Sequence, residues 1–411
     1  MNNPNTVFII LIAIIVINFI VDLILDGLNA KQYGAKLPSE LQDVYPEDEY
    51  KKSMDYKKIN YKFGLVTGAF SLVLTLAFFL LGGFKWAHEI ATSFSENSII
   101  VGLIFFGIIM IGSDIITTPF GYYKNFVIEE KFGFNKMSIA TFFGDKIKGW
   151  LMTALVGGGI LALIIWFYGV VGSNFWLYAW ILVAVFSVLM NMFYAKLIVP
   201  IFNKQKPLEA GSLRDKIEGY GNKVGFKLNK IFVLDGSKRS TKANAYFSGF
   251  GSEKRVTLFD TLINDLDEDE IVAVFAHEVG HYKRKHIIFN LVLSILLTGF
   301  TLWLLSLFVA SPVLSAALGV DQPTFHIGLI AFGILYTPIS EITGLLMNLV
   351  SRKFEYQADD YAKETFGAEP LVTSLKKLSK NSLSNLTPHP AYEFYHYSHP
   401  SLTKRIRNLR S

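Results

Sequence analysis

The chain has 411 residues, 51% of them hydrophobic and only 18% charged, with 35 Phe and 19 Tyr. That balance excludes a disordered chain and disfavours a soluble one, which would carry about 25% charge. The absence of cysteine excludes disulfides, thiol catalysis and Cys-ligated metal, and a net charge of +5 is too mild to suggest a nucleic-acid partner.

A bilayer core about 30 Å thick needs about 20 apolar residues of helix to cross it. Seven runs of that order follow along the chain, at 6–25, 64–84, 97–118, 149–168, 174–195, 287–310 and 327–350. The first has no Lys or Arg ahead of it and no small-residue cleavage site behind it, so it reads as a retained span rather than a signal peptide. Asp22 and Asp26 fall at its inner end as interfacial carboxylates. The third run carries Asp114 and the last Glu341, and an acid inside a span demands a partner or a wet cavity. No residue between Gly149 and Ala195 is charged, which fits two spans joined by a tight hairpin at Gly172-Ser173-Asn174.

Basic connections stay on the cytoplasmic side, so Lys and Arg orient the chain. The 29–63 connection has seven Lys, 119–148 has five, and the stretch from Lys204 to Lys285 holds fifteen Lys and Arg. The alternate connections carry Lys85 alone or nothing basic. Seven spans with the amino terminus outside or lumenal and the carboxyl terminus cytoplasmic satisfy every loop. Residues 1–195 then hold five spans and their loops, 287–350 hold the last two, and 196–286 with 351–411 form the two halves of one cytoplasmic domain.

Within 196–286, the segments 231–234, 244–247 and 256–259 read as short strands separated by Gly, Ser and Lys turns. Asp267 to Glu270 then offer an N-cap and an acidic first turn for a helix that carries His277-Glu278-Val279-Gly280-His281. Residues four apart share a helix face, so His277 and His281 can grip one zinc ion while Glu278 points toward its open position. The bland alternative is a pair of solvated histidines near a membrane surface.

Catalytic zinc takes three protein ligands, and without cysteine the third must be His, Asp or Glu. Glu355 is the candidate, because it lies where the seventh span emerges on the face that carries the first motif; otherwise it would simply pair with Arg352. Asp359, one turn on, can accept the free ring N–H of a ligating histidine. Glu341, Asn348 and Glu355 recur every seven residues, close to one helix stripe, which suggests that the site opens onto water below the membrane surface.

These strings together resemble a known family, the membrane-integral zinc endopeptidases called type I CAAX prenyl proteases. The resemblance rests on the HEVGH motif, the string from Phe354 to Asp359, Phe126 to Lys136, Pro200 to Lys204 ahead of Pro207-Leu208-Glu209, Asn244 to Gly249, and His399-Pro400-Ser401 with Arg405-Ile406. It implies a mainly α, polytopic membrane fold: seven transmembrane helices around a water-filled chamber, with a cytoplasmic zinc metalloprotease domain containing a small β-sheet. By the same resemblance one Zn²⁺ is held by His277, His281 and Glu355, with Glu278 as general base. Asn244 resembles the residue that holds the substrate backbone, and His399 and Arg405 resemble a pair near the scissile carbonyl. The segment Ser240-Thr241-Lys242-Ala243 departs from the family, where a histidine-serine pair is expected.

The implied activity is removal of the last three residues from isoprenylated CAAX proteins, so the partners are a peptide or protein substrate and the lipid bilayer. The membrane would be the endoplasmic reticulum in a eukaryote and the inner or plasma membrane in a bacterium. A membrane quality-control protease would use the same zinc chemistry without needing a prenyl group. A transporter or scaffold fits the scattered acids but has no use for the zinc motif.

Overall fold

Long charge-free runs make helices here, and the computed structural model, which describes residues 3–226, 228, 230–249 and 254–411, is built mainly from them. Among the described residues, six helical stretches are long and apolar enough to cross a membrane: Pro4–Ala30, Glu47–Leu80, Ser98–Glu129, Ile139–Phe202, His286–Phe308 and Phe325–Thr365. The expected count of seven is therefore not exact. The runs at 149–168 and 174–195 both fall within the stretch Ile139–Phe202, because the expected hairpin is itself a helical turn that leaves no gap in the helical backbone. Gly172 takes a φ of 57°, which glycine tolerates without strain. The flanking helices Gly158–Val171 and Phe175–Leu197 still lie together, with the rings of Phe167 and Tyr178 5.6 Å apart.

Two spans extend well past their apolar runs. The helix Glu47–Leu80 opens with Glu47, Asp48 and Glu49, acids suited to the positive end of the helix dipole. The helix Phe325–Thr365 runs on beyond residue 350 and absorbs Pro338 in its interior. It therefore carries Glu355 and Asp359 out of the span on one continuous rod.

Burial along the spans is uneven. No residue between Leu11 and Asn29, Tyr56 and Phe79, Phe105 and Ile128, or Phe332 and Glu355 is buried. Val7, Leu11, Phe79, Phe84 and Phe105 pack together with Leu314 and Ile327 at one end of the helices. Few residues in the middle of these helices are fully buried, although Phe175–Leu197 and His286–Phe308 pack on each other there, with Trp180 Nε1 donating to the Ile295 carbonyl at 2.8 Å. Polar partners occur in the sparse middle. Lys146 Nζ lies 2.8 Å from both oxygens of Asp114, and the Trp150 indole N–H donates to Asp114 at 2.9 Å. Glu341 accepts from the Tyr395 hydroxyl at 2.7 Å, and Asn348 donates to the Tyr395 carbonyl at 2.9 Å.

The other end is a second core. It draws residues from 196–286 and 351–411 and also Leu41, Tyr45, Tyr56, Ile128 and Phe134 from the two basic connections, which the sequence reading had left outside this domain. Its sheet has four strands, β1 Gln205–Pro207, β2 Ile231–Leu234, β3 Ala245–Ser248 and β4 Arg255–Phe259, in the order β1-β2-β4-β3. β2 and β4 are parallel, and the outer pairs are antiparallel, with Ala245 opposite Leu258. Three strands match the expectation to within a residue. β1 went unrecognised because three residues, one of them Pro207, are too few for a pattern and suit only a sheet edge. β3 is the other edge.

Candidate metal centre

The HExxH helix, Glu268–Lys283, begins with a closed capping box in which the Asp267 backbone N–H donates to Glu270 Oε2 at 2.8 Å. Glu270 is buried and paired with Lys377 at 2.8 Å, so the start of the helix is anchored. Its other face lies on the helix Phe325–Thr365 at a point where no side chain intervenes. A Cβ on Gly280 would stand 3.0 Å from Ala358 Cα and 3.1 Å from its carbonyl oxygen, so glycine permits the approach.

That approach brings His277, His281 and Glu355 together, with ligand atoms all within 4.8 Å of one another. Glu355 Oε2 is 3.5 Å from His277 Nε2, and Oε1 is 3.2 Å from His281 Nε2. The two Nε2 atoms face each other at 3.1 Å. Glu355 Oε2 is buried without a hydrogen-bond partner. Two lone-pair nitrogens converging with an orphaned carboxylate oxygen are the donor set of a divalent cation, and the residues fit zinc. Arg352, the alternative partner for Glu355, turns instead to the carbonyls of Tyr397 and Phe394.

The remaining nitrogens of both histidines are held. His277 Nδ1 lies 2.9 Å from Asp359 Oδ1, as the sequence spacing suggested. Asp359 is fully buried, and Arg405 clasps it, with Nε 2.9 Å from Oδ2 and Nη2 on Oδ1. Burial alone would pull the His277 imidazole down, but hydrogen bonds to the Asp359 and Glu355 carboxylates outweigh it and, without metal, hold its pKa up at about 9.

His281 rests on residues that sequence reasoning missed. Ligation through Nε2 requires its proton on Nδ1, whose partner is His286 Nδ1, 3.0 Å away. His286 must then keep Nδ1 bare and donate from Nε2 to Gln357 Oε1, 2.8 Å away. Its ring stacks on Phe354 at 4.0 Å. The available signal was weak: one more histidine five positions past the motif.

The ligand set opens into a cavity of about 550 Å³, whose wall includes Asn244 to Phe247, Glu278, His399 and Arg405. Glu278 makes no ion pair among the described residues. Asn244 is exposed at the head of β3, and its Oδ1 accepts from the Ala245 N–H at 2.9 Å. His399 has a largely exposed side chain with Nε2 3.4 Å from Glu355 Oε1. Arg405, expected beside the scissile carbonyl, lines this cavity and pairs with Asp359, with Nη1 3.4 Å from Glu355.

A helical membrane protein with an HExxH helix, a third carboxylate on a neighbouring helix and an edge strand along the cavity defines a membrane-embedded metallopeptidase. Comparison with known proteins narrows the class. Residues 28–204 match the family model described as CAAX prenyl protease N-terminal, five membrane helices, and residues 207–411 match peptidase family M48. The chain is 36% identical to a CAAX prenyl protease 1 homolog of Arabidopsis thaliana, over 91% of this chain and 90% of the relative. It is 35% identical to CAAX prenyl protease 1 of Saccharomyces cerevisiae, over 91% and 88%. The crystal structure of S. mikatae Ste24p superposes with a TM-score of 0.94 at 33% identity, covering 98% of this chain and 99% of that one. The chain belongs to peptidase family M48, on the branch that carries the CAAX prenyl protease membrane region.

Proposed function

We propose that this protein is a zinc-dependent endopeptidase that removes the C-terminal tripeptide from isoprenylated CAAX proteins. One observation carries the reading: Glu278 and the set His277, His281 and Glu355 share a cavity with the edge strand β3. Zinc bound there supplies a polarised scissile carbonyl and an acidified water. Glu278, which lines the same cavity, would take a proton from the attacking water and return it to the leaving amine. β3 straightens the substrate by main-chain hydrogen bonds along its open edge, and Asn244 adds its side-chain amide to that contact. His399 faces the developing oxyanion. Arg405 acts one step back, by holding Asp359 against His277.

The unburied middle of the helices supports a chamber into which a prenyl chain can extend from the cavity. The distribution of Lys and Arg supports a cytoplasmic catalytic domain, in the endoplasmic reticulum of a eukaryote or the inner or plasma membrane of a bacterium.

The test is cleavage of a farnesylated CAAX peptide beside its unprenylated twin, with and without a chelator. Chelator-sensitive cleavage of the prenylated peptide alone is expected; equal cleavage of both would favour the quality-control reading. In the same assay Glu278→Gln should keep about one zinc per chain while the rate falls by about 10²-fold or more. A fully active variant would remove Glu278 from the mechanism.

A further inference from the structure

A second cavity of about 390 Å³ adjoins the first, and Lys57, Asn385, His396 and Tyr397 stand in its wall. Ser379, Ser384 and His399 belong to both walls. His399 is itself 3.4 Å from Glu355, so the wall that the two cavities share stands beside the ligand set. A chain leaving the reacting atoms past His399 heads toward the second cavity.

Lys57 is half-buried there and makes no ion pair among the described residues. Its ammonium lies over the ring of Tyr56, 5.4 Å from Nζ to the centroid. Glu129 is close enough for its charge to be felt at Lys57, but both its oxygens are taken, Oε1 by the Tyr56 hydroxyl at 2.6 Å and Oε2 by Lys242 at 2.8 Å. Lys242 adds a second positive charge to the neighbourhood. Withdrawing an ammonium from water without a partner is costly, and that cost is offset when an anionic ligand arrives.

The proposed reaction brings such an anion. Cleavage three residues from the end of a chain places the terminal carboxylate about 10 Å from the scissile bond, at ~3.3 Å per extended residue. We propose that the second cavity is the subsite for the substrate's C-terminal carboxylate, with Lys57 as its counter-charge. This rests on the reading of the chain as an enzyme that releases a C-terminal tripeptide. It explains how an endopeptidase with an open edge strand would count residues from the end of its substrate: the charge at the terminus sets the register at the metal.

The test compares a farnesylated CAAX peptide bearing a free carboxylate with the same peptide as its C-terminal amide, in zwitterionic detergent. Wild-type protein should favour the acid by about 10-fold or more in kcat/KM, the scale of one charge-assisted hydrogen bond. Lys57→Met should collapse that ratio to about one, and Lys57→Arg should retain most of it. Zinc content of about one per chain in both variants reports that the fold is intact. A wild-type ratio near one, or a Lys57→Met ratio equal to wild type, would overturn the proposal while leaving the function standing. A Lys57→Met defect equal for acid and amide, seen only with anionic lipid, would assign Lys57 to a lipid headgroup and equally overturn it. Wild-type protein that cuts neither peptide would overturn the reading of the function and this subsite with it.

Discussion

His277 is pulled in two directions. Asp359 and Glu355 keep its ring protonated up to about pH 9 when no metal is bound, whereas coordination demands a bare Nε2. Metal and proton therefore compete for this imidazole. Below about pH 9 metal binding must expel the proton, so zinc affinity should rise about tenfold per pH unit toward 9 and level off above it. Calorimetry at pH 7.5 in buffers of different ionisation enthalpy should record release of about one proton per zinc; none at that pH would mean that the ring is already neutral. His281 is governed by the chain through His286 to Gln357. Gln357→Leu removes the acceptor that sets the tautomer of His286, and zinc affinity is expected to fall about 10- to 100-fold in chelator competition. Gln357→Glu, which keeps an oxygen in place, should restore most of it. Of these roles, the ligand pair was legible from its spacing of four. The clasp of Arg405 on Asp359 was not, because a contact across 46 positions leaves no periodic mark on the chain.

The distance between two helices sets the geometry of the centre. Glu268–Lys283 supplies two ligands and the base, Phe325–Thr365 supplies the third, and Gly280 lets their backbones touch. Gly280→Ala inserts a methyl group at 3.0 Å from Ala358 Cα, so the helices must part by a few tenths of an ångström, at a cost of about 1–3 kcal/mol for an overpacked contact. The midpoint of thermal unfolding should drop, and zinc should be lost to a chelator more readily than from wild type, since Glu355 moves with its helix. Unchanged zinc retention would show that the ligands do not depend on this approach. The sequence made both helices visible through an acidic N-cap and a long apolar run. The stripe of Glu341, Asn348 and Glu355, with Asp359 one turn on, already extended the second past the span, but its continuation to Thr365 was not legible, because helix ends are set as much by what packs on them as by local preference.

The whole protein divides into a core at one end of the helices, a middle with few fully buried residues, and a core at the other end that surrounds the metal centre. Along that middle Asp114 with Lys146 and Glu341 with Tyr395 keep polar contacts, as acids inside a span require. Orientation can be tested cleanly because the chain has no cysteine to remove. In sealed vesicles of known sidedness, Ser173→Cys should react with an impermeant maleimide only from the outer or lumenal face and Ser411→Cys only from the cytoplasmic face. Labelling of both from one side would reverse or break the assigned topology. Apolar run length, the alternation of basic loops and the residue types of the ligand set are local properties, carried by neighbours within a turn or two or by composition, and so the chain alone determined a multi-pass protein with a candidate zinc site. The recruitment of the 29–63 and 119–148 connections into the catalytic core and the partners of His281 and Asp359 were decided only in three dimensions. They depend on which distant segments exclude water from one another, and no local spacing encodes that choice.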